Sequence, residues 1–245
     1  MLNHLRLELI LVMNSIQQKS MSMKMLKLLS VPALMSVMLI LVSATELSKE
    51  AERLQNATKV ITTFANSDES IPQELLKQSE GLVIIPKMIN AGLGIGGKRG
   101  KGVAVVKLPD GSWSNPVFIT LTGGSFGFQI GVQSVDLVLV FKHKGVLTKV
   151  KNGDFTIGGD ISAAAGPVGR SSTASTDHTL EAEVYSYSRS RGLFAGISIN
   201  GSNLAIDKSA IANFYGANTT SQQIFETGKS SSAPVVELKS ALKGL

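Results

Sequence analysis

The chain has 245 residues, of which 43% are hydrophobic and 17% are charged, and its formal net charge is +6. This is enough for one globular domain with a sizeable core, and the absence of cysteine excludes disulfides, thiolate metal sites and a cysteine nucleophile. Once residues 1–44 are set aside, 20 basic residues face 17 acidic ones, a balance too mild to indicate nucleic-acid binding.

Residues 23–44 have the pattern of a secretory signal. Two lysines precede the apolar run Leu28–Val42, and the small residues before position 45 suit cleavage after Ala44. The alternative is a membrane anchor, but the run is short for a span of about 20 residues and contains Pro32. We therefore expect a periplasmic or secreted protein without a lipid-bearing cysteine, with residues 1–22 as an over-extended start.

Two helices are predicted within residues 45–80. In the first, which Thr45 can cap, apolar residues recur at three- and four-residue steps from Leu47 to Ala65. The second starts at Ser70 and runs to about Gln78. Because the polar face of the first helix is poor in cations, its apolar face is expected to cover the core rather than lie on a membrane.

Residues 81–216 are predicted to form a core rich in strands. The predicted strands are Leu82–Ile85, Val103–Lys107, Pro116–Thr122, Ser125–Gln133, Val135–Phe141, Phe155–Ala165, Leu180–Ser188, Leu193–Asn200 and Leu204–Ile206. Val135–Phe141 is apolar on both faces after its second residue, which predicts a central strand. The dipeptide Asn200-Gly201 predicts a hairpin between the last two strands.

Helices are also predicted later in the chain. A short one is expected at Val146–Val150, and Asp207 is expected to cap another at Lys208–Tyr215. Within residues 217–245, a polar linker to residue 233 precedes a short helix, Pro234–Leu242, that docks through its apolar residues. The predicted fold class is α+β: a mostly antiparallel, glycine-rich sheet or barrel with N-terminal helices and a C-terminal helix.

The segment Ala91–Gly102, AGLGIGGKRGKG, satisfies two nucleotide-binding patterns, G-x-G-x-x-G and G-x-x-x-x-G-K. Both patterns need a helix after the loop to present N–H groups to phosphates, and a Walker A loop needs Ser or Thr where Arg99 stands. A strand-like sequence, VAVV, follows instead. The glycines are therefore interpreted as the small-residue face of a strand, which lets another group approach closely or lets the sheet bend.

The segment Gly123–Gly127 fits the G-x-S-x-G pattern of a hydrolase, with Ser125 as the nucleophile and His178 later in the chain. The pattern needs a helix after the serine, whereas an alternating strand sequence follows. Acids and histidines do not recur at metal-ligand spacing. The sequence favours a non-enzymatic protein without a metal or cofactor, and a hydrolase that uses Ser125 is kept as an alternative.

Two segments, Gly81–Leu108 and Leu137–Gly153, are basic and contain no acid. Solvated strand ends would explain each cation singly, but the two segments together indicate an anionic surface, such as lipid headgroups. The candidate headgroup-binding residues flank the glycine-rich strands. They are Lys87, Lys98, Arg99, Lys101, Arg170, Arg189 and Arg191.

Several long blocks of the sequence resemble, in order, the SYLF domain, also called the actin-binding domain of yeast actin-patch proteins. The blocks are IPKMINAGLGIGGKRGKGVAVVK, LPDGSWSNPVFITLTGGSFGFQIGVQSVDLVLVF, AAAGPVGR and YSYSRSRGLFAGISINGSNLAID, and the resemblance runs from about Ser70 to Gly216. It implies a non-enzymatic lipid-binding module, associated in eukaryotic members with phosphoinositide membranes and actin, and it offers no catalytic residues.

From this resemblance we expect a cell-envelope module that binds anionic phospholipid. Bacterial members of the family resemble this chain in carrying an export signal, often with a lipobox cysteine that is missing here. A protein-interaction scaffold is the alternative. Actin is expected as its partner only if the protein reaches a eukaryotic cell.

Overall fold

A computed structural model describes residues 49–67, 71–149, 155–167 and 182–245. The predicted signal at residues 23–44, the predicted cap Thr45, the headgroup candidate Arg170 and the histidine of the alternative hydrolase, His178, lie outside the described residues.

The described residues form six helices and seven strands. The helices are α1 (49–65), α2 (Gln73–Gln78), α3 (Lys144–Lys149), α4 (Lys208–Tyr215), α5 (Ser221–Glu226) and α6 (Ala233–Lys243). The strands are β1 (Gly81–Val106), β2 (Val117–Phe141), β3 (Phe155–Ile157), β4 (Ala163–Ala165), β5 (Val184–Ser190), β6 (Leu193–Gly196) and β7 (Ser202–Ile206).

The seven strands belong to one sheet that is mostly antiparallel and nearly barrel-shaped, which confirms the predicted α+β class. The two long strands β1 and β2 pair with each other from Gly81 opposite Phe141 to Ala104 opposite Val117. The other edge of β2 pairs with β7 near its start and with β5 near its end. β3 extends the sheet beyond β7, while β6 and the parallel strand β4 both pair with β5.

Several predicted strands are merged or divided in the structure. The predicted strands that start at Leu82 and Val103 are the two ends of β1. Those that start at Pro116, Ser125 and Val135 are parts of β2. They are continuous because the glycines between them keep an extended backbone. Phe155–Ala165, predicted as one strand, is instead β3, a turn and β4. Gly158 adopts a φ of +86° in that turn, and the Asp160 carboxylate accepts the Thr156 N–H at 2.7 Å.

The predicted hairpin at Asn200-Gly201 is wrong. These residues do form a turn, but β6 pairs with β5, and β7 pairs with β2 and β3. The hairpin lies instead at Arg191 and Gly192, between β5 and β6. Both residues have positive φ, +49° and +88°, as a two-residue type I′ loop requires.

The core lies between the sheet and the helices. Leu54, Ile61 and Phe64 of α1 are at most 1% exposed, so this helix covers the core as predicted. Residues 137–141 of β2 are completely buried, which confirms the predicted central strand. Helix α6 docks through Val235, Leu238 and Leu242, as expected from the spacing of its apolar residues.

Residues 217–233, predicted as a polar linker, contain helix α5. The Thr220 hydroxyl accepts the Gln223 N–H, and the Gln223 side chain accepts the Thr220 N–H. This reciprocal capping box starts a helix that the polar composition conceals. Ile224 and Phe225 are buried, so the segment packs on the core.

Candidate binding surface

Strand β1 bends back on itself, and two glycines of AGLGIGGKRGKG make the close approach possible. A Cβ atom at Gly102 would overlap the carbonyl group of Ile84, and one at Gly100 would overlap the Ile85 side chain and crowd that of Met88. The two halves of β1 therefore touch at positions where only glycine fits. β1 continues as a strand to residue 106, so the helix that both nucleotide-binding patterns need does not follow these glycines.

The bend leaves the middle of the β1–β2 pair outside this contact, and we call residues 89–98 and 123–134 the ribbon apex. Among the described residues, β2 has only β1 beside it between Gly123, where pairing with β7 ends, and Asp136, where pairing with β5 begins. Residues 131–134 are exposed. The pairing register shifts next to the apex at residues 85–88 and within it at Leu93 and Gly94, so this part of the ribbon is irregular.

Two large apolar side chains of the ribbon apex are exposed. Ile89 is 42% exposed and Val132 is 72% exposed. Val132 lies opposite Ala91, and Ala91 follows Ile89 by two residues in β1. The side chains of Ile89 and Val132 are therefore diagonal neighbours on one face of the ribbon. Sequence reasoning missed Val132 because an apolar residue in an alternating strand is expected to face the core, and it missed Ile89 because this residue lies outside the predicted strands.

Three predicted headgroup candidates lie near Asp136, where β5 joins β2. Lys87 is exposed in an irregular part of β1 with a φ of +50°, and its N–H donates to the Asp136 carboxylate at 3.0 Å. Arg189 lies opposite Asp136 in the sheet, with its guanidinium carbon 5.8 Å from the centre of the Phe194 ring. Arg191 is exposed in the turn that follows.

The other described candidates lie on the second half of β1. Arg99 is exposed opposite Thr122. Lys98 is half-buried, its ammonium donates to the carbonyl of Ser198 at 2.8 Å, and burial lowers its pKa. Lys101 is exposed, with its ammonium 3.7 Å from the Asp207 carboxylate. Lys98 and Lys101 therefore make contacts within the protein. Headgroup binding by any of these residues stays a prediction.

The catalytic alternatives lack the geometry they need. Ser125 lies inside β2, which continues as a strand to Phe141, so it is not at a strand-to-helix turn. Across residues 49–67, 71–149, 155–167 and 182–245, His, Asp and Glu form no group of three that could hold a metal ion. Within the same ranges, the helices do not reach the length and hydropathy that a transmembrane span requires.

Comparison with known proteins agrees with the expected family. The family model named Ysc84, described as "Las17-binding protein actin regulator", matches residues 122–245. The chain is 35% identical over 196 residues to LAS seventeen-binding protein 3 of Saccharomyces cerevisiae, covering 79% of this chain and 42% of that protein. It is 37% identical over 172 residues to the human SH3 domain-containing YSC84-like protein 1, covering 70% of this chain and 50% of that protein.

Protein YSC84 of Saccharomyces cerevisiae is also similar, with 37% identity over 183 residues that cover 74% of this chain and 39% of that protein. The chain thus spans half or less of the length of these three relatives. The description of the family and the name of LAS seventeen-binding protein 3 refer to binding rather than to an enzymatic activity. On these matches, the chain belongs to the Ysc84, or SYLF, family.

Proposed function

We propose that this chain is a non-enzymatic protein-binding module whose partner is actin or an actin regulator of the Las17 type, and that the ribbon apex makes the contact. The exposed pair Ile89 and Val132 is the observation that carries the proposal. Relatives named for binding LAS seventeen, and a family described as actin regulators, support this class of partner.

The energetics favour a docked apex. Burying an isoleucine or valine side chain fully is worth about 1.5 to 3 kcal/mol, so covering this partly exposed pair would contribute a few kcal/mol to binding. Exposed cations beside the apex, such as Lys87 and Arg99, would surround that apolar centre with a polar rim. Their charge would speed association with an acidic partner.

The direct test is co-sedimentation of the purified protein with actin filaments, together with capture by an immobilised Las17-type protein. We expect saturable binding in at least one of the two assays. Binding to neither at protein concentrations up to about 100 μM, which would still detect a Kd of about 100 μM (a binding free energy of about −5.5 kcal/mol), would contradict the proposal.

A second candidate is binding to an anionic lipid surface, as expected from the sequence. It is favoured by the combination of an exposed apolar pair with the exposed cations Lys87, Arg99 and Arg191, because apolar insertion and attraction to headgroups add together at a membrane interface.

Co-sedimentation with neutral and with anionic vesicles, at low and at physiological salt, tests lipid binding. Binding that needs anionic lipid and weakens with salt is the expected result, and equal binding to both vesicles would contradict it. Export to the cell envelope stays a prediction.

A further inference from the structure

A half-open groove of about 300 Å³ lies between the end of α2, the loop before β2 and the end of α6. It shares no residue with the ribbon apex. Its apolar walls include Leu76, Trp113 and Leu242, and its cationic residues are Lys77, Lys107 and Lys243. None of the described side chains that line it is acidic. The groove therefore combines apolar walls with three positive charges.

Lys107 is the fixed cation of this groove. Its ammonium donates to the carbonyls of Lys77 at 3.2 Å and Leu76 at 3.4 Å, at the end of α2, and lies 5.4 Å from the centre of the Trp113 ring. Burial lowers its pKa, and the nearby charge of Glu80 opposes that change. A partly dehydrated ammonium in this position gains a second counter-charge, in addition to Glu80, when an anion enters the groove.

The size and openness of the groove indicate the kind of ligand. Its volume is at the lower end of the range for small-molecule sites, so it suits one anchoring side chain better than a whole enclosed ligand. A second groove of about 310 Å³ shares Lys107 and is lined also by Lys144, Phe225 and the acidic Glu226, so the acidic part of a ligand fits the first groove better than the second. Two open grooves that meet at one lysine suit an extended segment that continues from one to the other.

We propose that this pair of grooves binds an acidic, extended peptide segment of a protein partner, with an apolar side chain against Trp113 and carboxylates beside Lys77, Lys107 and Lys243. The charge complementarity of an acid-free, three-lysine groove selects this occupant. The inference rests on the proposed function, for which it names the chemistry of the partner, and it concerns a different surface from the apex.

Trp113 is the only tryptophan of the chain, so its fluorescence reports on the groove directly. The probe is the peptide acetyl-Glu-Asp-Phe-Leu-Asp-Glu-Gly-amide, and the control peptide carries Gln and Asn in place of its acids. Titration of the purified protein with the acidic peptide is expected to shift the Trp113 emission saturably, and the neutral peptide is expected to leave it unchanged.

Two double variants with the same change in charge separate this site from general attraction. Lys77 and Lys243 are exposed in the groove, whereas Lys59 on α1 and Lys208 on α4 are exposed elsewhere. Loss of two ion pairs worth about 0.7 kcal/mol each should make the Kd of K77Q/K243Q about tenfold weaker, while K59Q/K208Q stays within about twofold of the wild type. Unchanged melting temperatures would show that neither variant is misfolded.

Three results would overturn the inference: no response to the acidic peptide, an equal response to the neutral peptide, or equal weakening in both double variants. A shift of the Trp113 emission with anionic vesicles but not with the peptide would also overturn the inference, since that result would make the groove a lipid site. If the peptide fails while the protein still binds its partner, the groove is excluded and the proposed function stands. If the peptide binds but the partner assays fail, the groove stands as a peptide site and the proposed function is excluded.

Discussion

Arg53 on α1 donates to the carboxylate of Asp207 across 3.1 Å, and the same carboxylate caps α4 by accepting the Ala210 N–H at 3.1 Å. Arg53 also lies 3.2 Å from the Glu50 carboxylate, and its guanidinium carbon is 5.2 Å from the centre of the Phe118 ring. Helix α1, strand β2 and helix α4 are therefore fixed together at one charged and mostly buried point.

The first prediction concerns this junction. Asp207→Ala removes a helix cap, worth about 1 kcal/mol, and one partner of Arg53. Because Arg53 keeps Glu50, we expect the free energy of unfolding to fall by about 2 kcal/mol rather than the roughly 3 to 5 kcal/mol typical of a broken buried pair. Urea unfolding followed by Trp113 fluorescence measures the change.

Lys101→Ala is the control for that measurement, since it removes a contact to the same carboxylate. The Lys101 side chain is 57% exposed and its ammonium is 3.7 Å away, so we expect a loss below about 1 kcal/mol. A larger loss for Lys101→Ala than for Asp207→Ala would show that the junction depends on Lys101 instead of the buried pair.

The second prediction concerns the bend in β1. Gly102→Ala forces a Cβ atom against the Ile84 backbone, which cannot move aside as a side chain can. Overpacking of this kind costs about 1 to 3 kcal/mol, which corresponds to a fall of at least about 2 °C in the melting temperature of a domain of this size. A Cβ atom added at Gly124, in the partner strand, meets no described atom within 4 Å. Gly124→Ala should therefore lower the melting temperature by less. Equal losses would mean that general strand flexibility, not close approach, explains the glycines.

Local signals predicted the elements better than their pairing. The Asp207 cap and the apolar spacing of α6 depend on a few neighbouring residues, and both were predicted. The Asn200-Gly201 turn also exists, but its sequence cannot say that β7 pairs with β2 and β3 instead of β6, because those two partners are distant in sequence. Helix α5 was missed although Thr220 and Gln223 carry a capping-box pattern, since the surrounding composition is polar.

The candidate surfaces were harder to predict. The positive charge of Lys98 and Lys101 is visible in the sequence, but their contacts with Ser198 and Asp207 come from segments about 100 residues away. The exposure of Val132 depends on where the pairing of β5 and β7 with β2 stops, which no local pattern contains.

The third prediction concerns alkaline pH. Burial raises the pKa of Tyr215 above its ordinary value of 10.0, and its hydroxyl donates to the carbonyl of Pro116 at 2.8 Å. Burial also raises the pKa of Tyr187. Above pH 10 these tyrosines ionise in the unfolded chain but stay protonated in the folded one. The folded state then binds more protons, so its stability is full below pH 10 and falls as the pH rises further.

Tyrosinate absorbance and urea unfolding between pH 9 and 12 test this. We expect the native protein to show less tyrosinate than the urea-unfolded protein at pH 11. Tyr215→Phe should lose about 1 kcal/mol at neutral pH, through the missing hydrogen bond, and show a smaller further loss above pH 10. Identical titration curves for the folded and unfolded protein would contradict the prediction.

The central claim is that the exposed apolar pair of the ribbon apex makes the contact with a protein partner. The most direct measurement compares the Kd of I89S/V132S with that of the wild type, in whichever partner assay gives binding. Val236→Ser is the control, because Val236 is 50% exposed on α6. Loss of about 2 kcal/mol of apolar contact should weaken binding by I89S/V132S about 30-fold and leave V236S near the wild-type value. Wild-type affinity in I89S/V132S would contradict the claim.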